Sequence, residues 1–255
     1  MAPSPSAGCE VVCVASWNAD LVSHIERPLG RGETLMASAF AISPGGKGSN
    51  AAVAAARQGA RVALIARIGQ DDFGRMGLAL SQAEGIDSRH VLQAAGESSG
   101  VAQILVYADG DNSIAVCPGA GAGLSAQHVE AAREILRDCR VVMASCEVPL
   151  AATERAFQIA REAGAYTLLN PAPALPLPDA LLALTDLLTP NESEVRLLAG
   201  MAADAPLQVA AQALLARGVA AVLVTLGAKG CVLYQKGCAP QALAGRRMAV
   251  LDTIG

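Results

Sequence analysis

Short apolar runs alternate with helical segments along most of this chain, and that alternation restricts the fold more than any other feature. Ser125 to Asp138 has helical periodicity, Val141 to Ser145 reads as a strand, Leu150 to Ala163 as helix and Tyr166 to Leu169 as strand. Asn170-Pro171-Ala172-Pro173 breaks the pattern, and Pro176 and Pro178 keep it irregular. A short helix over Ala180 to Thr185, a strand over Leu187 to Thr189, helices over Glu192 to Ala199 and Pro206 to Arg217, and a strand over Ala221 to Thr225 follow. Upstream, Glu10 to Ser16 and Arg61 to Ile68 are further apolar runs. Asn50 to Gln58 is a helix closed by Gly59, and Asp71 to Glu84 a helix capped by Asp71 or Asp72 and closed by Gly85. Parallel strands need crossover connections and are buried on both faces, so they read as continuous apolar runs. The pattern predicts an α/β fold with a mainly parallel central sheet flanked by helices, closed by strands at Cys231 to Tyr234 and Met248 to Leu251.

Two stretches fall outside this rhythm. Ile25 to Ile42 carries Pro28, Gly30 and Gly32 and lacks helical periodicity, which predicts short strands off the main sheet. Val101 to Tyr107 and Ser113 to Cys117 flank Asp109-Gly110-Asp111-Asn112, a hairpin signal. Together they predict a small accessory sheet. The glycine-rich run from Pro118 to Gly123 reads as a flexible connector.

Composition narrows the class of partner. Of the 255 residues, 53% are hydrophobic but only 3% aromatic, so the core must be built from Ala, Val, Leu and Ile. The net charge of −4 comes from interspersed acids and bases, which argues against a nucleic-acid surface or a basic membrane-binding face. An anion would have to be bound by a local site. No run reaches the ~18 apolar residues of a membrane span. Seven cysteines, an odd number with no CxxC pair, read as reduced thiols of a cytosolic protein. Met1 to Gly8 lacks a signal peptide's basic and apolar regions, and residues 1–9 read as a frayed tail ahead of one domain over 10–255.

Ser43-Pro44-Gly45-Gly46-Lys47-Gly48-Ser49-Asn50, followed at once by the alanine-rich run Ala51 to Ala56, reads as a tight loop opening a helix. Such a helix N-terminus offers unpaired N–H groups and partial positive charge. The spacing is neither a P-loop nor GxGxxG. Polar groups then recur where strands end: Asn18 and Asp20, Glu147, Asn170, Asn191 with Glu194, and Thr225-Leu226-Gly227-Ala228-Lys229-Gly230. An Asx-turn, a helix cap or a plain turn would explain any one of them. Five strands delivering carboxylates, amides or glycines to one sheet edge match the place where open α/β sheets bind ligands.

Those motifs, in order and with Asn170-Pro171-Ala172-Pro173 and Asp252-Thr253-Ile254-Gly255, resemble the ribokinase-like family of carbohydrate kinases over nearly all of residues 10–255. The resemblance implies transfer of the ATP γ-phosphoryl group to a sugar's primary hydroxyl, with Mg²⁺ and K⁺ as cofactors. It implies sugar contacts from Asn18, Asp20, Gly46, Lys47, Gly48, Asn50 and Glu147. It also implies phosphate and Mg²⁺ organisation by Asn191 and Glu194, the carboxylate through water. Thr225 to Gly230 would form a nucleotide wall, and Asp252 and Ile254 would hold K⁺. Residues 25–42 and 101–117 would form a lid that closes over the sugar and pairs two subunits. Asn18, Asp20 and the Asp252-Thr253-Ile254 motif favour ribose. Other members of the family, acting on fructose, a deoxygluconate or a nucleoside, remain open, as does a non-catalytic sugar-binding protein. Few aromatics disfavour a nucleoside pocket, where stacking is expected. The family's Gly-Ala-Gly-Asp motif, whose aspartate is the general base, would begin at Gly255, so the base and the helices after it are expected beyond these 255 residues. The chain as given is therefore expected to lack part of the fold and to be inactive. Gly121 stands where the family often has asparagine.

Overall fold

The computed structural model describes residues 8–246. The proposed ion ligands Asp252 and Ile254, and the strand expected over Met248 to Leu251, lie outside the described residues.

β1 (Val11–Val14) shows why the main sheet is covered on both sides. Val12 and Val14 face one core with α5 (Leu150–Glu162), which contributes Ala156, Phe157 and Ala160. Cys13 and Ala15 face the other, with Ala52 of α1 (Lys47–Arg57). Alternate residues of a strand point to opposite faces, so both sets must be apolar. The thiol of Cys13 is desolvated there and pushed up to about 12.

The remaining strands of this sheet are β4 (Val62–Gly69), β5 (Asp87–Ala94), β8 (Val141–Ser145), β9 (Tyr166–Asn170), β10 (Leu187–Leu188), β11 (Ala221–Thr225), β12 (Gly230–Gln235) and β13 (Gln241–Ala244). Their order is β13-β12-β11-β10-β9-β8-β1-β4-β5. From β11 to β5 every pair is parallel; β12 and β13 return antiparallel at one edge. A second sheet of four strands, ordered β3-β2-β6-β7, comprises β2 (Asn18–His24), β3 (Ala39–Gly45), β6 (Gly100–Val106) and β7 (Asn112–Cys117).

The helical layers are completed by α2 (Asp72–Ala83), α3 (Ala126–Glu130), α4 (Arg133–Asp138), α6 (Asp179–Ala183), α7 (Glu192–Leu198) and α8 (Leu207–Ala216). Asp71 caps α2 by accepting a hydrogen bond from the Gly74 N–H at 2.8 Å. Gly59 and Gly85 close α1 and α2 with φ of 90° and 67°, a conformation that costs glycine little.

Four expectations need correction. Residues 25–38 contain no strand, and the second sheet takes its first strand from Asn18–His24 instead. The helix expected over Ser125 to Asp138 is two short helices, because the chain breaks at Ala131 and Ala132. Residues 118–123 are not a flexible connector. Gly119–Gly123 is a 3-10 turn with Ala120 and Gly121 buried, fixed by the Arg67 guanidinium, which donates to the Ala120 carbonyl at 2.7 Å. Cys9, expected in the tail, packs against the core, and its thiol donates to the Val11 carbonyl at 3.0 Å.

Candidate active site

In-register pairing lines up the C-terminal ends of the parallel strands. Val14 lies opposite Ala144, Ser145 opposite Asn170, and Leu169 opposite Leu188, which pairs with Val222. Ser16, Glu147, Asn170, Asn191 and Thr225 therefore follow one another along a single sheet edge, about 5 Å apart per strand.

At the β1–β8 end, Gly46 is the N-cap of α1 with φ 93°. Any side chain there would approach the Ser16 carbonyl oxygen at 2.8 Å, and a Cβ on Gly48 would lie 2.5 Å from the Ala15 Cα. The glycines let this loop lie directly on the end of β1. The amides it exposes do meet an anion, and the chain itself supplies it. Glu147 Oε2 accepts from the Lys47 N–H at 2.8 Å and from the Ser16 hydroxyl at 2.6 Å. Ser16 Oγ in turn accepts from the Gly48 N–H at 3.2 Å. Lys47 Nζ lies 3.8 Å from Glu147 Oε1.

The second sheet grows directly out of this corner. Asn18 pairs with Gly45 and with Gly100, and Asp20 with Ser43. The Asp20 carboxylate covers Gly45, and the Asn18 amide oxygen covers Gly100, leaving no room for a Cβ at either glycine. Asp20 is 8% exposed, and its carboxylate accepts no hydrogen bond among the described residues. Desolvation, then the neighbouring Glu147 charge, push its pKa up to about 6, against the pull of Lys47. Asn50 sits in the first turn of α1 with its N–H on the Gly46 carbonyl at 2.8 Å and its side chain exposed.

At the β10–β11 end the polar groups are engaged with each other. Asn191 caps α7: its Oδ1 accepts from the Glu194 N–H and the Ser193 hydroxyl, both at 2.8 Å, while Glu194 Oε2 accepts from the Asn191 N–H at 2.8 Å. Asn191 also bridges to Thr225, whose N–H donates to the Pro190 carbonyl at 2.9 Å. Gly227–Lys229 forms a 3-10 turn with Gly227 at φ 56° and Gly230 at φ 103°, closed by Leu226 N–H to Gly230 carbonyl at 2.8 Å. Ala228 and Lys229 ride on this turn.

The structure thus gathers Asn18, Asp20, Gly46, Lys47, Gly48 and Glu147 at one end of the edge, and Asn191, Glu194 and Thr225 to Gly230 at the other. β9 separates them. They adjoin at Cys146, whose thiol is pushed up to about 12 by burial and then by the Glu194 charge. Asn170 belongs with the β1–β8 end, where it lines a cavity of about 30 Å³ with Lys47, Gly48 and Ser145. Sequence reasoning passed over Ser16 as a site residue; its only sequence signal is its place at the end of an apolar strand. Among the described residues, no three acidic, histidine or cysteine side chains gather closely enough to hold a metal ion.

The pfkB family carbohydrate kinase model matches residues 9–255. The chain belongs to the pfkB family of carbohydrate kinases. Within that family it is 41% identical to a ribokinase of Haemophilus influenzae over 227 residues, 88% of this chain and 74% of that protein. It is 35% identical to a deoxyribokinase of Salmonella typhi over 249 residues, 96% of this chain and 81% of that one. Among solved structures it is similar to Arabidopsis thaliana ribokinase complexed with ribose and ATP, with a TM-score of 0.83 and 29% identity, covering 93% of this chain and 78% of that one. The ribokinase-like α/β fold expected from the motifs is the fold observed.

Proposed function

We propose that this chain binds ribose between Asn18, Asp20, Gly46, Lys47, Gly48, Asn50 and Glu147 and ATP along Asn191 and Thr225 to Gly230, for transfer of the γ-phosphoryl group to the sugar's primary hydroxyl. The observation that carries the reading is Asp20: a nearly buried carboxylate, unpaired among the described residues, beside a lysine and a second carboxylate. The Asp20 oxygens are not sealed from water, so a ligand with adjacent hydroxyls can reach them and supply the missing donors. The Arabidopsis relative complexed with ribose and ATP supports both ligands. The deoxyribokinase relative makes 2-deoxyribose the competing substrate.

The one Glu194 oxygen outside the capping box suits a water-mediated Mg²⁺ contact, since Mg²⁺ keeps several waters and takes few protein ligands. When bound, Mg²⁺ would neutralise phosphate charge. K⁺ is assigned to Asp252 and Ile254. Phosphoryl transfer depends on positioning and electrostatics, so the protein's own part is to orient the hydroxyl and exclude water. The second sheet would act as the lid over the sugar. Phe40 and Ile114, 61% and 55% exposed on that sheet, suit a homodimer formed through it. The reading also places the protein in the cytoplasm; among the described residues no helix is long and apolar enough to cross a membrane.

The test is calorimetric titration with ribose and with 2-deoxyribose, together with ribose-dependent ADP formation. The chain should bind ribose, and 2-deoxyribose should compete with it for the same residues. No detectable ribose binding would sink the sugar assignment. Tighter binding of 2-deoxyribose than of ribose would make the deoxy sugar the substrate.

A further inference from the structure

We propose that Ser16 is the positioning residue of the sugar site: its hydroxyl fixes the Glu147 carboxylate so that Oε1, beside Lys47 Nζ, is left for a sugar hydroxyl. The proposal rests on the ribose-site reading above. Ser16 is 6% exposed, and its hydroxyl has a defined direction. The Gly48 N–H occupies a lone pair at 3.2 Å, which turns the O–H toward Glu147 Oε2 at 2.6 Å. That is a short, charge-assisted bond. Oε2 also takes the Lys47 N–H at the first turn of the 11-residue α1, where the helix dipole favours negative charge.

Among the described residues the other oxygen accepts no hydrogen bond; its ion-pair partner is Lys47 Nζ at 3.8 Å, on a side chain 43% exposed. Ser16 is anchored through its backbone. Its carbonyl accepts from the Ser49 N–H at 3.2 Å, and its backbone lies against Gly46 and Gly48, where a Cβ would come within 2.8 and 2.9 Å of it. One hydroxyl therefore couples the end of β1, the start of α1 and the residue two places past β8. Without it, Oε2 keeps a single donor, the Gly48 N–H loses its acceptor, and the carboxylate is free to rotate.

The experiment is ribose titration of wild type, Ser16→Ala, Glu147→Ala and the double variant, with ATP titrated in parallel. Ser16→Ala should weaken ribose about tenfold and leave ATP affinity unchanged. In the Glu147→Ala background, Ser16→Ala should cost nothing further, because the carboxylate it positions is gone; a purely structural serine would give additive losses. Ser16→Thr and Ser16→Val, matched in volume and differing in the hydroxyl, cover the case in which the alanine variant misfolds: the first should stay within about threefold of wild type and the second should lose about tenfold. Equal affinities for Ser16→Thr and Ser16→Val, or additive losses in the double variant, would overturn the role of Ser16. Absence of ribose binding by wild type would instead overturn the ribose site itself.

Discussion

The two ends of the candidate site use their polar groups in opposite ways. At the β1–β8 end Asp20 is buried and has no donor among the described residues, and beside it Glu147 is half-buried. At the β10–β11 end, Asn191 and Glu194 satisfy each other's backbone in a capping box, and the neighbouring wall is a glycine turn whose contribution is backbone. The first arrangement stores an unmet need that a hydroxyl-rich ligand can fill, so it can discriminate. The second offers amides and a helix start, which suit phosphates generally.

The glycines separate the two ends most sharply. Gly48 is required for space and Gly227 for conformation. Gly48→Ala would place a methyl 2.5 Å from the Ala15 Cα, and overpacking of that kind costs about 3 kcal/mol. Gly227→Ala meets nothing within 4 Å and bears only the cost of φ 56°, about 1 kcal/mol. Urea denaturation of both variants measures the difference. Equal losses would mean that the loop at α1 relaxes away from β1 and that its close packing does not define the sugar end.

Affinity gives the next contrast. Charge-assisted hydrogen bonds contribute ~1.5–3 kcal/mol each, so Asp20→Ala should weaken ribose at least tenfold while ATP affinity stays within twofold. Asn191→Ala should do the reverse in direction, removing a helix cap at a cost of about 1 kcal/mol of stability and weakening ATP rather than ribose. Calorimetry with both ligands on both variants decides it; ribose affinity unchanged in Asp20→Ala would remove Asp20 from the site.

Much of this asymmetry could be read from the sequence, and what could not has identifiable causes. The buried strands β1, β4, β8, β9 and β11 are plain because parallel strands covered on both faces must be continuously apolar. β2 was hidden. Only three residues separate Val14 from Asn18, with no glycine or proline between, and Asn18-Ala19-Asp20 has the composition of a turn. The chain changes sheets there without a local signal, which puts Asn18 and Asp20 on a strand rather than in a loop. β5 is an edge strand with no fully buried residue, and Asp87-Ser88-Arg89-His90 carries no strand pattern. Residues 118–123 are rich in glycine yet ordered, because the Arg67 side chain 53 positions away in sequence holds the Ala120 carbonyl. Ser16 has the same character: its partner Glu147 is 131 residues distant. The helix cap at Asn191, by contrast, is local and legible, though the return contact from Glu194 was not read.

The smallest expected effect is also the one that most directly tests why the two ends differ. A carboxylate raised to about 6 from 3.8 binds its proton more tightly folded than unfolded. Its contribution to folding stability is therefore fully present below about pH 4 and is lost as pH rises through about 6. Sugar binding should run the other way. The ionised form accepts the hydroxyl hydrogen bonds, so ribose affinity should rise as pH increases from 5 to 7.5, by up to about tenfold if the protonated acid binds poorly. Other carboxylates, Asp87 and Glu130 among them, are held below their ordinary range by arginine hydrogen bonds and tilt the stability profile in the opposite sense. The comparison must be wild type against Asp20→Asn, where their contributions cancel. The difference in melting temperature should favour wild type at pH 4.5 relative to pH 7.5, while the difference in ribose affinity should favour it at pH 7.5. ATP affinity should show no such Asp20-dependent slope. Parallel slopes for stability and ribose affinity would mean that the buried charge is held for the fold and not for the ligand.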